Sequence, residues 1–268
     1  MGCSNSWLAT WASFASRVFA QGSNDSSSGP VVDLAYAQYK GSTALRDDFR
    51  TDVYYGIRYA QAPVGQLRWQ PPQNIEGHND YKPNEIIDAQ TPGPSCVQGL
   101  PAWLLAANVT GSTNATSQED CLLLDVYVPE NPTSTALPVL VNIHGGGYTT
   151  GGADEYPWGP IVDASGGSII AVSTQYRLGA YGFLSGSEVR ENGQANAGLL
   201  DQRAALEWVQ RNIRAFGGDP SKVTVFGGSA GGGSGKMLYS CRGDCFMLMW
   251  ACSYGSDDHV WRCCEPAV

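Results

Sequence analysis

Ser229 stands in the run Gly227-Gly228-Ser229-Ala230-Gly231, at the end of the apolar segment Lys222 to Gly227. A serine in a G-x-S-x-G pattern between a strand and a helix sits on a sharp turn where only small neighbours avoid clashes. Its hydroxyl is then held out at the carboxyl edge of a sheet, placed to attack a carbonyl carbon. The helix that follows offers backbone N–H groups and partial positive charge, so the N–H of Ala230 suits the oxyanion such an attack creates. The pattern alone equally fits a glycine-rich turn with an idle serine. A second element favours chemistry: the apolar segment Leu137 to Ile143 ends in His144-Gly145-Gly146-Gly147. Consecutive glycines let several N–H groups converge on one anionic point. Two such donors with Ala230 complete an oxyanion hole, each donor worth roughly 3 kcal/mol of transition-state stabilisation. The competing reading of this second element is a glycine hinge beside a structural histidine.

A serine hydroxyl needs a histidine base, itself oriented by a carboxylate. The three histidines are His78, His144 and His259. In a strand-turn-helix site of this type the chain order is serine, acid, histidine, which leaves only His259, with Asp244, Asp257 or Asp258 as nominal acid. The stretch after Ser229 is too short for the helical crossovers that normally carry both groups. We therefore expect the acid and base to be absent. Two other chemistries fare worse. Residues 230–236 approximate a phosphate loop, but Ala230 replaces its first glycine and Met237 stands where a magnesium-binding hydroxyl belongs. Cys241, Cys245, Cys252, His259 and Cys263 lack a familiar metal-ligand spacing. No metal and no cofactor is expected.

The elements that position these residues are legible as short apolar, β-branched runs: Leu122 to Val128, Leu137 to Ile143, Ser168 to Thr174 and Lys222 to Gly227. Between the last two lies a helical segment in which Leu199, Leu206, Val209 and Ile213 share a face, with Asn196 to cap it and Gly217 to Pro220 to stop it. Strand, helix, strand with near-continuous apolar strands predicts an α/β domain with a mostly parallel central sheet and helices on both faces. The bulk properties agree. The chain has 268 residues, 43% hydrophobic and 15% charged, which favours burial over disorder. A net charge of −9 without any Lys/Arg cluster argues against a nucleic-acid partner or a polybasic membrane anchor. No apolar run reaches eighteen residues, so no transmembrane helix is expected.

From about Val32 to Ser234 the sequence resembles the N-terminal half of the type-B carboxylesterase/lipase family, the cholinesterase-like α/β-hydrolases. The segments that carry the resemblance are YYGIRYAQAPVGQLRWQPPQ, SQEDCLLLDVYVP, LPVLVNIHGGGY, STQYRLGAYGFL and NAGLLDQRAALEWVQRNIRAFGGDPSKVTVFGGSAGGGS. The resemblance implies an α/β-hydrolase fold, truncated after the serine turn. It implies a serine ester hydrolase acting on small-molecule or lipid esters, with Ser229 as nucleophile and Gly146, Gly147 and Ala230 as oxyanion donors. It also implies a Cys96–Cys121 disulfide and the ion pairs Arg68–Glu119 and Arg177–Asp201. The loop closed by that disulfide carries LPAWLLAANVT, a lid or acyl-contact surface on one reading and an inert loop beneath a glycan on the other. Gly228, Asp125 and Tyr148 stand where the family often has Glu, Asn and Phe, and we expect these to bear on substrate preference. Cholinesterase-like domains also serve as non-catalytic adhesion modules, which usually lack the serine that is present here.

The chain ends read differently. Residues 1–20 fit a secretory signal with Trp7 to Ala15 as apolar core, although no positive charge precedes it. The same residues fit N-myristoylation at Gly2, with Ser6 completing the motif and Cys3 as a second acylation site. Asn24, Asn108 and Asn114 begin glycosylation triplets and favour an extracellular location. Residues 21–30 read as a flexible lead-in and 31–234 as the catalytic-domain part. The last 33 residues hold five of the eight cysteines and three of the four methionines. We expect residues 235–268 to be an out-of-frame or mis-spliced tail without a fold, leaving the serine strand as an uncovered edge.

Overall fold

The computed structural model describes residues 27–46, 49–82, 85–100, 117–156, 158–240 and 248–252. Both leader readings, Asn24, Asn108 and Asn114, the loop from Pro101 to Thr110, Asp244, Asp257, Asp258, His259, Cys241, Cys245 and Cys263 lie outside the described residues.

One sheet is built from β1 (Ser27–Asp33), β2 (Gln38–Arg46), β3 (Phe49–Arg58), β4 (Ile86–Asp88), β5 (Leu123–Pro129), β6 (Leu137–Ile143), β7 (Ile170–Thr174), β8 (Gly218–Gly228) and β9 (Leu248–Cys252). Its order is β1-β2-β3-β5-β7-β6-β8-β9, with β4 beside β2. The sheet is mixed rather than mostly parallel. Pairs β1–β2, β2–β3, β3–β5 and β5–β7 are antiparallel, whereas β6 runs parallel to both β7 and β8. β1, β2 and β3 follow one another closely, and such short connections permit only antiparallel pairing. The parallel pairs of β6 with β7 and with β8 are bridged by helical crossovers, while β4 pairs in parallel with β2 through a connection that contains β3. These crossovers contain α1 (Trp158–Ala164) between β6 and β7, then α2 (Gly179–Phe183), α3 (Ser187–Asn192) and α4 (Ala197–Asn212) between β7 and β8.

Strand residues alternate between two apolar cores, one on each face. Val126, Val141 and Val225 pack with Leu206, Trp208 and Val209 of α4. Tyr127 and Ala171 face the other way, with Leu140 and Phe226 partly buried beside them, against Trp158 and Val162 of α1. The period-2 alternation of a strand thus serves two helical layers. On α4, Leu206 and Val209 are buried as the helical pattern requires, as is Ile213 in the turn that follows. Leu199 is only half-buried, and Trp208 joins the buried face. Trp208 donates its ring N–H to the hydroxyl of Tyr36 at 3.0 Å. Asn196 holds the N-cap position, but only its backbone carbonyl is used, and no side-chain cap forms. Gly217 ends the helical segment at φ 82°, while Gly218 to Pro220 already belong to β8 rather than to a stop signal.

Two boundaries differ from expectation. Ser27 to Pro30 form part of β1, in antiparallel register with β2 at Ser27↔Thr43 and Ser28↔Ser42. Ladder pairing uses backbone groups, so a polar Ser/Gly stretch suffices, and Pro30 falls where the register shifts on an edge strand. At the other end, α5 (Ala230–Ser240) passes through Gly235 without a break, because Lys236, Met237 and Leu238 are good helix formers. β9 then pairs in parallel with β8 from Thr224↔Leu248 to Gly228↔Cys252, so the edge of the serine strand is covered.

α4 is tied to the segment after β7 by Arg177 and Asp201. Arg177 donates from Nε and Nη2 to the two carboxylate oxygens, both at 2.7 Å, and from Nη2 to the Gln70 carbonyl at 2.8 Å. The two side chains are 2% and 0% exposed, against 38% and 22% for Arg68 and Glu119, which form a fork at 2.6 and 2.7 Å. Water therefore screens the second pair and not the first. Asp201→Asn leaves the buried guanidinium without its counter-charge and should cost about 3–5 kcal/mol in denaturant unfolding. Glu119→Gln should change little by comparison, and equal costs for the two variants would sink this ranking.

Candidate active site

The parallel neighbours β6 and β8 bring their carboxyl ends together, and both glycine turns emerge there. Ser229 follows the last residue of β8 and is exposed. Its φ of 52° lies in the left-handed region, a strain of roughly 1–2 kcal/mol for a non-glycine residue. Its carbonyl accepts the Gly233 N–H at 3.0 Å, which makes Ser229 the cap of α5 and Ala230 its first residue. The Ala230 N–H is one of those at a helix start that have no acceptor within the helix. No loop remains for a phosphate, since residues 230–236 are helical.

The fit between the two turns leaves no space for side chains. A Cβ on Gly231 would meet the Ile143 carbonyl oxygen at 2.0 Å, and one on Gly227 would meet it at 2.8 Å. A Cβ on Gly145 would lie 3.1 Å from the Gly228 oxygen and 3.4 Å from the Cβ of Ser229. Gly228, by contrast, faces open space. Gly231→Ala should therefore cost several kcal/mol by prising β6 from α5, while Gly228→Ala changes thermal stability little. Similar melting temperatures for the two variants would contradict this packing.

The upstream turn continues the same geometry. Gly146, Gly147 and Tyr148 all have positive φ, at 97°, 62° and 62°. The Gly146 carbonyl accepts the N–H groups of Thr149 and Thr150 at 3.1 and 3.0 Å. Because the peptide bond is trans and planar, the Gly147 N–H points away from that turn. The Tyr148 hydroxyl accepts from Ser234 of α5 at 3.3 Å, and its ring lies 4.9 Å from Phe183. Tyr148 thus links this turn to the serine helix. Asp125 also makes a contact that joins two elements. It is buried in β5 and accepts the Gly56 N–H at 2.8 Å, holding β3 where its register shifts between Tyr54 and Ile57.

His144 is fully buried and stacks on Tyr176 at 4.3 Å. Its Nδ1 donates to the Gly145 carbonyl at 2.9 Å, and the Tyr176 hydroxyl donates to the His144 carbonyl at 2.8 Å. Burial pushes the ring down to about 4. His78 is exposed, and among the described residues no hydrogen bond joins either histidine to Ser229. Because the folded pKa of His144 lies below the usual 6.5, the unfolded chain binds the extra proton and stability falls as pH drops from about 6.5 to about 4. His144→Gln should remove this slope, roughly 1.4 kcal/mol per pH unit across that window. Urea unfolding of both chains at pH 7 and 4.5 measures it; parallel losses would show that His144 does not titrate in that range.

Cys96 and Cys121 form a disulfide across 25 residues, with Cα atoms 5.0 Å apart. It lies beside Arg177, Leu178 and Tyr181 around a small cavity that Glu119 also lines. Arg58 forms a further fork with Asp120, with Nη2 to Oδ2 at 2.9 Å. Sequence reading missed this pair, although Arg58 and Asp120 both stand inside the quoted segments.

An α/β sheet with a strained serine turn beside a glycine turn defines the α/β-hydrolase class. The sequence pattern of the Carboxylesterase family matches residues 28–242, and the chain belongs to that family. It is 42% identical to the para-nitrobenzyl esterase of Bacillus subtilis (strain 168) over 206 residues, covering 75% of this chain and 38% of that protein. It is 39% identical to carboxylesterase 1E of Mus musculus, covering 82% of this chain and 39% of that protein. The crystal structure of Aspergillus niger EstA superposes with a TM-score of 0.64 at 38% identity, covering 77% of this chain and 37% of that one. The chain thus spans about two fifths of the length of the relatives it matches. No helix among the described residues is long and apolar enough to cross a membrane.

Proposed function

We propose that this chain carries the nucleophile and oxyanion elements of a carboxylic ester hydrolase acting through an acyl-enzyme. Ser229 Oγ attacks the ester carbonyl carbon, and the carbonyl oxygen takes the developing negative charge. The N–H groups of Gly146, Gly147 and Ala230 hold that charge, the alcohol leaves, and water releases the acid. The observation that carries this reading is the exposed Ser229 at φ 52°, packed through Gly145 against the upstream glycine turn. Small carboxylic esters are the substrate class that the named relatives support. Among the described residues no histidine is hydrogen-bonded to Ser229, and the chain, expected to lack the acid and base, is proposed to be inactive by itself. Its disulfide supports an oxidising, extracellular compartment.

Joining residues 28–234 to the C-terminal part of the Bacillus subtilis para-nitrobenzyl esterase tests the site. The fusion should hydrolyse a p-nitrophenyl ester, and Ser229→Ala should lower kcat by about 10⁴-fold or more. The chain alone should take up no fluorophosphonate probe at Ser229. A folded fusion that hydrolyses equally well without the Ser229 hydroxyl would remove Ser229 from the nucleophile role.

A further inference from the structure

Asn192 is the only asparagine of the chain that is followed by a glycine. It is the last residue of α3 and is exposed, and Gly193 continues in extended backbone at φ −164°. Packing accounts for the glycine: a Cβ there would lie 2.7 Å from the Trp69 carbonyl oxygen and 3.3 Å from Trp69 Cβ. The same lack of a side chain uncovers the Gly193 nitrogen. Among the described residues the Gly193 N–H meets no acceptor in hydrogen-bonding geometry, whereas the next N–H, of Gln194, is bonded to the Trp69 carbonyl at 2.7 Å. Asparagines at other helix ends differ. Asn212 precedes Ile213, whose N–H is bonded to the Val209 carbonyl and whose branched side chain is buried, and Asn196 precedes the buried Ala197.

A second contact acts on the same peptide group. Gln70 donates from Nε2 to the Asn192 carbonyl oxygen. That oxygen is conjugated with the Gly193 nitrogen, so negative charge formed by deprotonating the nitrogen spreads onto it. A donor already aimed at the oxygen stabilises the amide anion, as oxyanion donors do elsewhere. The Asn192 carboxamide is held only lightly, by Nδ2 donating to the Glu188 carbonyl at 3.1 Å. Because Asn192 ends α3, its side chain and its last peptide can turn toward one another without breaking a following helical turn.

We propose that Asn192 is a site of self-catalysed deamidation, with the Gly193 nitrogen as nucleophile and Gln70 as the group that stabilises its anion. The nitrogen gives its proton to hydroxide and attacks Asn192 Cγ. The new N–Cγ bond closes a five-membered succinimide, and the Cγ–Nδ2 bond breaks as Nδ2 takes up a proton and leaves as ammonia. Water then opens the ring at either carbonyl, giving aspartate or isoaspartate. The product carboxylate cannot donate to the Glu188 carbonyl, and it stands at the negative end of α3 beside Glu188 and Glu191. Isoaspartate also reroutes the backbone through Cγ, next to the Gln194 bond to Trp69. Modification thus loosens the seam between α3 and Trp69–Gln70, whose Gln70 carbonyl accepts from the buried Arg177. This assignment stands independently of the ester-hydrolase reading.

The test is to hold the full chain at pH 8, folded in one sample and unfolded in urea in another, and to follow its peptides by mass spectrometry and isoaspartyl methyltransferase labelling. The folded chain should gain one mass unit and isoaspartate, and fragmentation should place both at Asn192 rather than at Asn196 or Asn212. Asn192→Gln should abolish the change, because its longer side chain would have to close a six-membered ring. Gln70→Ala, at a partly exposed side chain, should slow conversion about tenfold or more in the folded chain, and should leave the rate in urea unaltered. An Asn192 that stays intact, or conversion spread equally over the three asparagines, would overturn the proposal. A folded Gln70→Ala chain that converts at the unsubstituted rate would overturn it equally.

Discussion

The closest backbone approach around the candidate site is between the start of α5 and the end of β6, where the missing Cβ of Gly231 leaves room for the Ile143 carbonyl. Everything about the site follows from that contact. Parallel pairing of β6 with β8 sets the two carboxyl ends side by side. Only a chain without side chains at Gly227 and Gly231 can then turn sharply enough to start a helix against them. The turn forces Ser229 into the left-handed region, and its strain is tolerated because β8, α5 and β6 fix both flanks. The same closeness places Gly145 in contact with Ser229, so the upstream turn and the serine form one packed unit.

His144 shows how that unit is kept rigid without using charge. Its ring could serve a base, yet burial and the stack on Tyr176 keep it neutral, and its Nδ1–H is spent on the Gly145 carbonyl. A charged imidazole in this place would need solvent that the core excludes. The Tyr176 hydroxyl closes the arrangement by donating to the His144 carbonyl, next to the turn that Gly146 begins. The histidine is therefore a spacer between sheet and glycine turn. The Tyr148 hydroxyl performs a similar service from the other side, joining the turn to Ser234.

How much of this was legible depended on the type of signal. β6 coincides with the apolar run from Leu137 to Ile143, and α4 with the helical pattern, because buried period and turn residues are local properties. β5 and β7 were read as apolar runs, but β2 and β3 were not, since Gln38–Arg46 mixes polar and apolar residues and its partner is chosen by turn length. β1 was missed at Ser27 to Pro30 for a related reason: backbone pairing leaves no compositional mark on a Ser/Gly stretch. At the site, the serine and the glycines were visible as motifs. The bond from Tyr148 to Ser234 was not, because it joins residues 86 apart that meet only when β6 and α5 pack.

The ion pairs sharpen the difference between position and chemistry. Arg177 and Asp201 are almost wholly enclosed, and burial pushes the Asp201 carboxyl up against the opposing pull of the guanidinium. Such a pair contributes little net stability over an apolar substitute, but it permits only one relative placement of its two elements. Here the elements are the segment leaving β7 and the first turns of α4. Gly198 lets them close, since a Cβ there would stand 2.5 Å from the Arg177 carbonyl. The placement of α4 in turn fixes where β8 begins, after Gly217 at φ 82°. A charge pair that never meets substrate thereby helps decide where Ser229 emerges from the sheet.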